Sequence, residues 1–301
     1  MSSGKITLEQ RKASLHYHVQ EYRKRRVIID TDAACEADDP FAIAQALMSK
    51  MLEVKGICAE HFVAEGSMEQ SYEMICRVTE AMGADVPVLR GQTGKMSEHQ
   101  GEPMTEAAQF IMEEDDKPLF VLCIGAVTNV AEAIRAKSEI VDRMTVVCIG
   151  GNPIGCEKPG WEFNFGNDVE AANIVLRCGG DVWLIPNNVY GTMHIGFGEM
   201  QQRIAPYGEI GRLLYENLIS FYETENASWS AGESWSLGDS PAVGVTLEPN
   251  CGSFMYCKAP EVQEDTSYRY PENSPQIRVY TSINSRFIIE DFISKLQILY
   301  G

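Results

Sequence analysis

At 301 residues, 45% hydrophobic and 23% charged, with no low-complexity tract, the chain has the composition of a globular protein large enough for a sizeable α/β core. A formal net charge of −18 argues against nucleic acid or an anionic membrane as partner, since either would be repelled. The nine cysteines form no CxxC pair or disulfide framework, no stretch is apolar enough to span a bilayer, and the N-terminal segment lacks a signal-peptide apolar region, so a cytoplasmic location is expected.

Residues 1–25 read as a polar helical or extended N-terminal extension, followed by one domain over 26–301. Near-continuous apolar runs predict strands over 26–30, 54–61, 87–90, 119–125, 144–150 and 182–186, a pattern that suits parallel strands buried on both faces. Helical patterns fall between them, over 40–49, 67–82, 105–112, 130–136 and 169–177. The alternation predicts a single-domain α/β fold with an open, mostly parallel sheet and helical additions at the C-terminal end. Beyond Pro186 the pattern predicts one long helix or a helical pair over 200–225, then a Trp-rich segment over 229–235. An apolar stretch over 254–258, a strand over 276–283 and a closing helix over 287–299 complete the chain. In such sheets ligands sit beyond the carboxyl ends of the strands, and the residues there are polar: the acidic run after the first strand, His61 after the second, Thr128-Asn129 after the fourth, Asn152 after the fifth.

The acidic run holds Asp30, Asp32, Glu36, Asp38 and Asp39 within ten residues. Packed together they repel one another and their pKa values must rise unless a cation neutralises them. A hard divalent ion held by carboxylate oxygens satisfies such a cluster most simply. A plainer reading is an N-cap at Asp38 or Asp39 ahead of Pro40, worth about 0.5–2 kcal/mol; it leaves Asp30 and Asp32 unexplained. An EF-hand is excluded, because Ala34 and Cys35 stand where that loop needs a ligand and a glycine. Asp-x-Asp after a first strand also occurs in haloacid-dehalogenase phosphatases, but the later lysine and acidic pair of that family have no counterpart here.

Five blocks in order resemble the nucleoside hydrolases. They are Asp30-Thr31-Asp32 with Asp38-Asp39, Gly125 to Ala131, Ile149-Gly150-Gly151, Trp161 to Asn164 with Asp168 to Ala172, and Gly238 to Val243. The resemblance implies Ca2+-dependent cleavage of the N-glycosidic bond of a ribonucleoside or related ribosylated compound. It places Asp32, Asp39, Asp239 and the backbone carbonyl of Thr128 on the ion, and makes Asp32 the general base toward water. It places Asp38, Glu162 and Asn164 on the ribose, with Asn152 as a further candidate, and Asp30 behind the loop. Family members are commonly dimers or tetramers, which implies a homo-oligomer.

Two features depart from the family pattern. The acidic turn is longer by two residues, and Gly238 stands where many members carry a histidine that protonates the leaving base. His61 is the candidate replacement acid; Trp229, Trp235, Tyr190 and Phe165 are candidates for stacking on a base, against their commoner use in core packing. Gly238 also raises a reading of a different class, a catalytically weak ribose- or nucleoside-binding protein that keeps the Ca2+ site.

Overall fold

A computed structural model describes residues 6–114, 118–156 and 159–301. The apolar run Val27-Ile28-Ile29 divides its side chains between two cores, Val27 and Ile29 on one face and Ile28 on the other, as strand alternation requires. This strand, β1 (Arg25–Thr31), is followed by β2 (Leu52–Ala59), β3 (Val88–Arg90), β4 (Leu119–Cys123), β5 (Met144–Ile149) and β6 (Asp181–Ile185). A small hairpin of β7 (His194–Gly196) and β8 (Ser234–Ser236) precedes β9 (Gly252–Lys258), and a second, β10 (Glu261–Val262) with β11 (Tyr268–Arg269), precedes β12 (Gln276–Ile283). The main sheet runs β3-β2-β1-β4-β5-β6-β12-β9, parallel throughout except for β9, which pairs antiparallel with β12 at the edge.

Helices cover both faces. On one lie α2 (Asp39–Met48), α3 (Ser67–Met82), α10 (Gly208–Tyr222), α11 (Ser240–Leu247) and α12 (Ser285–Tyr300); on the other lie α4 (Glu106–Glu113), α5 (Thr128–Ala136) and α7 (Val169–Leu176). The chain winds outward from β1 through β2 to β3, then returns to β4 on the opposite side of β1. That reversal opens a crevice at the carboxyl ends of β1 and β4, where open α/β sheets bind ligands.

The predicted elements are present with ends displaced by one or two residues in most cases. The 200–225 stretch is a pair, α9 (Phe197–Arg203) and α10, because Pro206 cannot donate a helical hydrogen bond and Gly208 takes φ +72°. The short helices α6 (Phe163–Asn167) and α8 (Asn187–Tyr190) and the two small hairpins were not anticipated. Residues 1–5 of the predicted extension lie outside the described residues. Its remainder begins with α1 (Leu8–Lys12), which Thr7 and Gln10 close with a capping box. Leu8 and Leu15 are buried in the larger core, and Arg11 donates to the Leu299 carbonyl at 2.9 Å. Among the described residues no helix is long and apolar enough to cross a membrane.

Candidate active site

All ten residues of α2 are buried, so the start of this helix is held rigidly over the end of β1. Asp38 occupies its N-cap position and Asp239 the N-cap position of α11, each ahead of a proline in the first turn, yet neither side chain caps its helix. They turn instead toward each other. One oxygen each of Asp38, Asp39 and Asp239 lie within 4.8 Å of one another. Asp32 and Asp239 both act on the Asp39 carboxyl, so the four groups are electrostatically one cluster. The Thr31 hydroxyl donates to Asp39 and fixes its orientation. Two helix N-termini therefore converge on four carboxylates, and their dipoles offset part of the repulsion.

Burial is the largest cause of raised pKa values in all four. Asp39 is pushed up to about 6, and Asp32, Asp38 and Asp239 rise well above the usual carboxylate range, with mutual repulsion adding to desolvation. Asp32 is 3% exposed, and its Oδ2 has no hydrogen-bond partner among the described residues. A buried orphan oxygen beside crowded carboxylates suits a hard cation. The converging groups Asp38, Asp39 and Asp239 are all carboxylates, an oxygen donor set of the kind such an ion takes. The cluster thus departs in one respect from the expected ligand set: Asp38 joins Asp39 and Asp239 in the tightest trio, while Asp32 reaches it through Asp39.

The approach of β4 to this cluster depends on Gly125. A Cβ there would meet Asp32 Oδ1 at 2.8 Å and the Asp32 backbone nitrogen at 3.0 Å. Gly125→Ala must push apart the ends of β1 and β4. It is expected to weaken divalent-ion binding about tenfold in calorimetry and to cost about 1–3 kcal/mol in a melt; unchanged ion affinity would contradict this placement of Asp32.

Behind the cluster lies a second acidic pair. Asp30 Oδ1 accepts from Asn129 Nδ2 at 2.9 Å, and Glu60 Oε1 accepts from the Asn129 backbone N–H at 2.8 Å. Asp30 and Glu60 are fully buried and in contact; Asp30 rises to about 6 and Glu60 well above its ordinary value, burial first. A protonated Glu60 donating to Asp30 accounts for both of their otherwise unpartnered oxygens. Asn129 also donates to the Ala59 carbonyl and accepts from Gln92 N–H, so one side chain ties the ends of β1 and β2 to the turn before α5. Asp30 and Asn129 thus brace the strand ends from behind the cluster. Glu60 was missed, although a carboxylate closing an apolar strand was a visible signal.

His61 is not brought to the cavity. Strand β2 ends at Ala59, and the imidazole is fully buried on the turn beyond it. Thr128 Oγ1 donates to Asp168 Oδ2 at 3.0 Å, so it accepts from His61 Nε2 at 2.9 Å, while Nδ1 accepts from Val63 N–H at 3.3 Å. Burial lowers the histidine to about 4. Both nitrogens of this neutral ring are engaged, which leaves no proton for a leaving group. Thr128 opens α5, with its side chain committed to His61 and Asp168 and no contribution to the cavity wall.

The cavity at the crevice is about 70 Å³ and is walled on its carboxylate side by Asp32, Glu36, Asp38, Asp39 and Asp239. Asn164, Phe163 and Tyr190 also line it. Asn164 is held by donating to the Ile149 carbonyl at 3.0 Å. Glu162 lies one layer back, capping α6 through the N–H groups of Asn164 and Phe165 and accepting from the Tyr190 hydroxyl at 3.0 Å. Asn152 is not part of the wall; its amide braces the loop after β5 by donating to the carbonyls of Gly160 and Thr266. Of the aromatic candidates, Phe165 and Trp235 are core residues at 1% exposure, and Trp229 packs on Trp235 at 5.0 Å. Only Tyr190 lines the cavity, together with Phe163, which was not singled out because it sits between two polar neighbours.

Comparison with known proteins agrees with this geometry. Residues 27–289 match the family model described as inosine-uridine preferring nucleoside hydrolase. The chain is similar to the pyrimidine-specific ribonucleoside hydrolase RihA of Salmonella paratyphi A, at 27% identity over 78% of this chain and 80% of that one. It is also similar to uridine nucleosidase 1 of Arabidopsis thaliana, at 26% identity over 66% and 67%. Its fold matches a purine-preferring ribonucleoside hydrolase from Gardnerella vaginalis with a TM-score of 0.76 and 22% identity, covering 92% of this chain and 99% of that one. The chain belongs to the inosine-uridine preferring nucleoside hydrolase family, whose members are N-ribosyl hydrolases.

Proposed function

We propose that this protein is a Ca2+-dependent hydrolase of the N-glycosidic bond of a ribonucleoside or related ribosylated compound. The observation that carries the reading is the buried, unpartnered Oδ2 of Asp32, set beside Asp39 and Asp239 at the switch point of the sheet. Asp32, Asp39 and Asp239 would hold the ion, with the Thr128 carbonyl as the expected donor from the β4 side. When bound, such an ion acidifies water and orients ribose hydroxyls. Asp32 takes the proton of the attacking water, its carboxylate held in place by the backbone that Gly125 allows to approach. Asp38 and Asn164 both line the cavity, where they would accept from and donate to sugar hydroxyls. Glu162 orients Asn164 and Tyr190 from behind. Hydrogen bonds that strengthen as the sugar gains oxocarbenium character stabilise the transition state.

The experiment is a reducing-sugar assay on a nucleoside panel with chelator and with added Ca2+. Ribose release that disappears with chelator and returns with Ca2+ is the expected result; release indifferent to chelation would overturn the ion's role. The alternative, a binder that keeps the ion, draws on Gly238 and on the absence of a histidine from the described wall. Nucleoside binding in calorimetry without any ribose release would select it. All nine cysteines are free, which supports the reducing environment of a cytoplasmic enzyme. A homo-oligomer is part of the same reading, to be checked by light scattering.

A further inference from the structure

The cavity wall carries five carboxylates, Asp32, Glu36, Asp38, Asp39 and Asp239, and among the described residues no lysine, arginine or histidine. One divalent ion would leave a formal charge of −3 on this wall. Among the described residues it also holds no imidazole or ammonium group to protonate a departing base. The Tyr190 hydroxyl is spent on Glu162, the amide of Asn164 is no acid, and burial drives the Cys35 thiol far up. The space before Asp239 is closed to a larger side chain: a Cβ at Gly238 would already stand 3.1 Å from the Tyr190 ring and 3.2 Å from Asp38 Oδ2. At the mouth, Phe163 is 41% exposed and offers an aromatic face.

We infer that the substrates are ribosides whose glycosidic nitrogen belongs to a positively charged ring, such as an N-alkylated purine or a pyridinium. The inference rests on the hydrolase reading above. A cationic ring is attracted by the surplus carboxylates and by the aromatic faces of Phe163 and Tyr190. It also removes the need for an acid. As the water oxygen bonds to C1′, the C1′–N bond breaks and its electron pair neutralises the ring, so the base leaves uncharged. The water proton passes to Asp32 and on to solvent, releasing one proton per turnover. A neutral base would leave as an anion, and among the described residues this wall offers it no imidazole or ammonium donor. Glu36, on the lengthened turn, is the residue that sets the preference, since it adds a charge beyond the carboxylates assigned to the ion and the sugar.

The test compares 7-methylguanosine with guanosine, which differ by the methyl that charges the ring. Their kcat/KM ratio is divided by the ratio of uncatalysed rates, because the cationic bond is also weaker in water. A corrected ratio above about tenfold is expected, falling about tenfold in Glu36→Gln as one charge is removed. A readout without turnover is calorimetric binding of the 1-methylnicotinamide cation against neutral nicotinamide to the Ca2+-loaded protein, with the cation favoured. Guanosine cleaved as well as 7-methylguanosine after correction, or equal binding of the two nicotinamides, would overturn the charge preference and leave the hydrolase reading intact. No ribose from either nucleoside overturns both.

Discussion

Asp32→Asn is expected to lower kcat for ribose release by about 10³–10⁴-fold, while the melting temperature stays near that of the parent protein. The amide is isosteric and fits beside Gly125, so the close approach of β1 and β4 survives. On the proposed mechanism it loses the ability to take a proton from water and one negative oxygen for the ion. Removing a carboxylate from a crowded cluster relieves repulsion, so destabilisation is not expected to confuse the result. A mere structural role would show the reverse pattern, a lower melting temperature with kcat within tenfold of the parent. Reducing-sugar kinetics run beside circular-dichroism melts separate the two. Asp30→Asn serves as the contrast, because Asp30 bonds Asn129 and contacts Glu60 without lining the cavity.

The second large effect is on stability. Metal-free protein is expected to become less stable as pH rises from about 4 to about 7. Asp30 and Asp39 rise to about 6 and Glu36 to about 7, burial being the first cause in each. Their folded-state values lie above the unfolded ones, so the native state holds protons that the unfolded chain has already released across this window. Stability from such groups is fully present below the unfolded pKa and is lost as pH passes through the folded pKa. Each extra proton costs about 1.4 kcal/mol per pH unit, or about 3 kcal/mol for a carboxyl displaced by two units. On the proposed reading, Ca2+ would replace those protons as the neutralising charge. At a hundred times its dissociation constant it adds about 3 kcal/mol and flattens the slope. Melts from pH 4 to 7.5 in chelator and in CaCl2 test this; a metal-free protein equally stable at both ends would mean that the carboxylates are less crowded than their placement implies.

Much of the site could be located from residues alone. Acidic residues after a first strand, Thr128-Asn129 after the fourth, a Gly-Gly turn after the fifth, and an Asp ahead of proline near residue 240 name the parts of a switch-point pocket. What local reading could not settle was which way each side chain turns. Asp38 and Asp239 satisfy every local requirement for an N-cap, yet neither caps its helix. Glu162, read as a sugar ligand, does cap one. His61 follows a strand at the correct edge of the sheet, but its neighbours Thr128 and Asp168 hold it in the interior. Glu60 and Phe163 gave only faint local signals because their partners lie on other strands and loops.

The sequence by itself determined the order of strands and helices, the edge of the sheet that carries chemistry, and the stock of carboxylates available there. These follow from periodicity and composition, which are local along the chain. Only the tertiary structure decided how that stock divides. Four carboxylates share one buried cluster, Asp30 and Glu60 lie buried behind it and both accept from Asn129, and Glu36 stands on the cavity wall. That division depends on distances between residues up to about 200 positions apart in sequence, such as Asp39 and Asp239, and repulsion, burial and hydrogen bonding act through those distances.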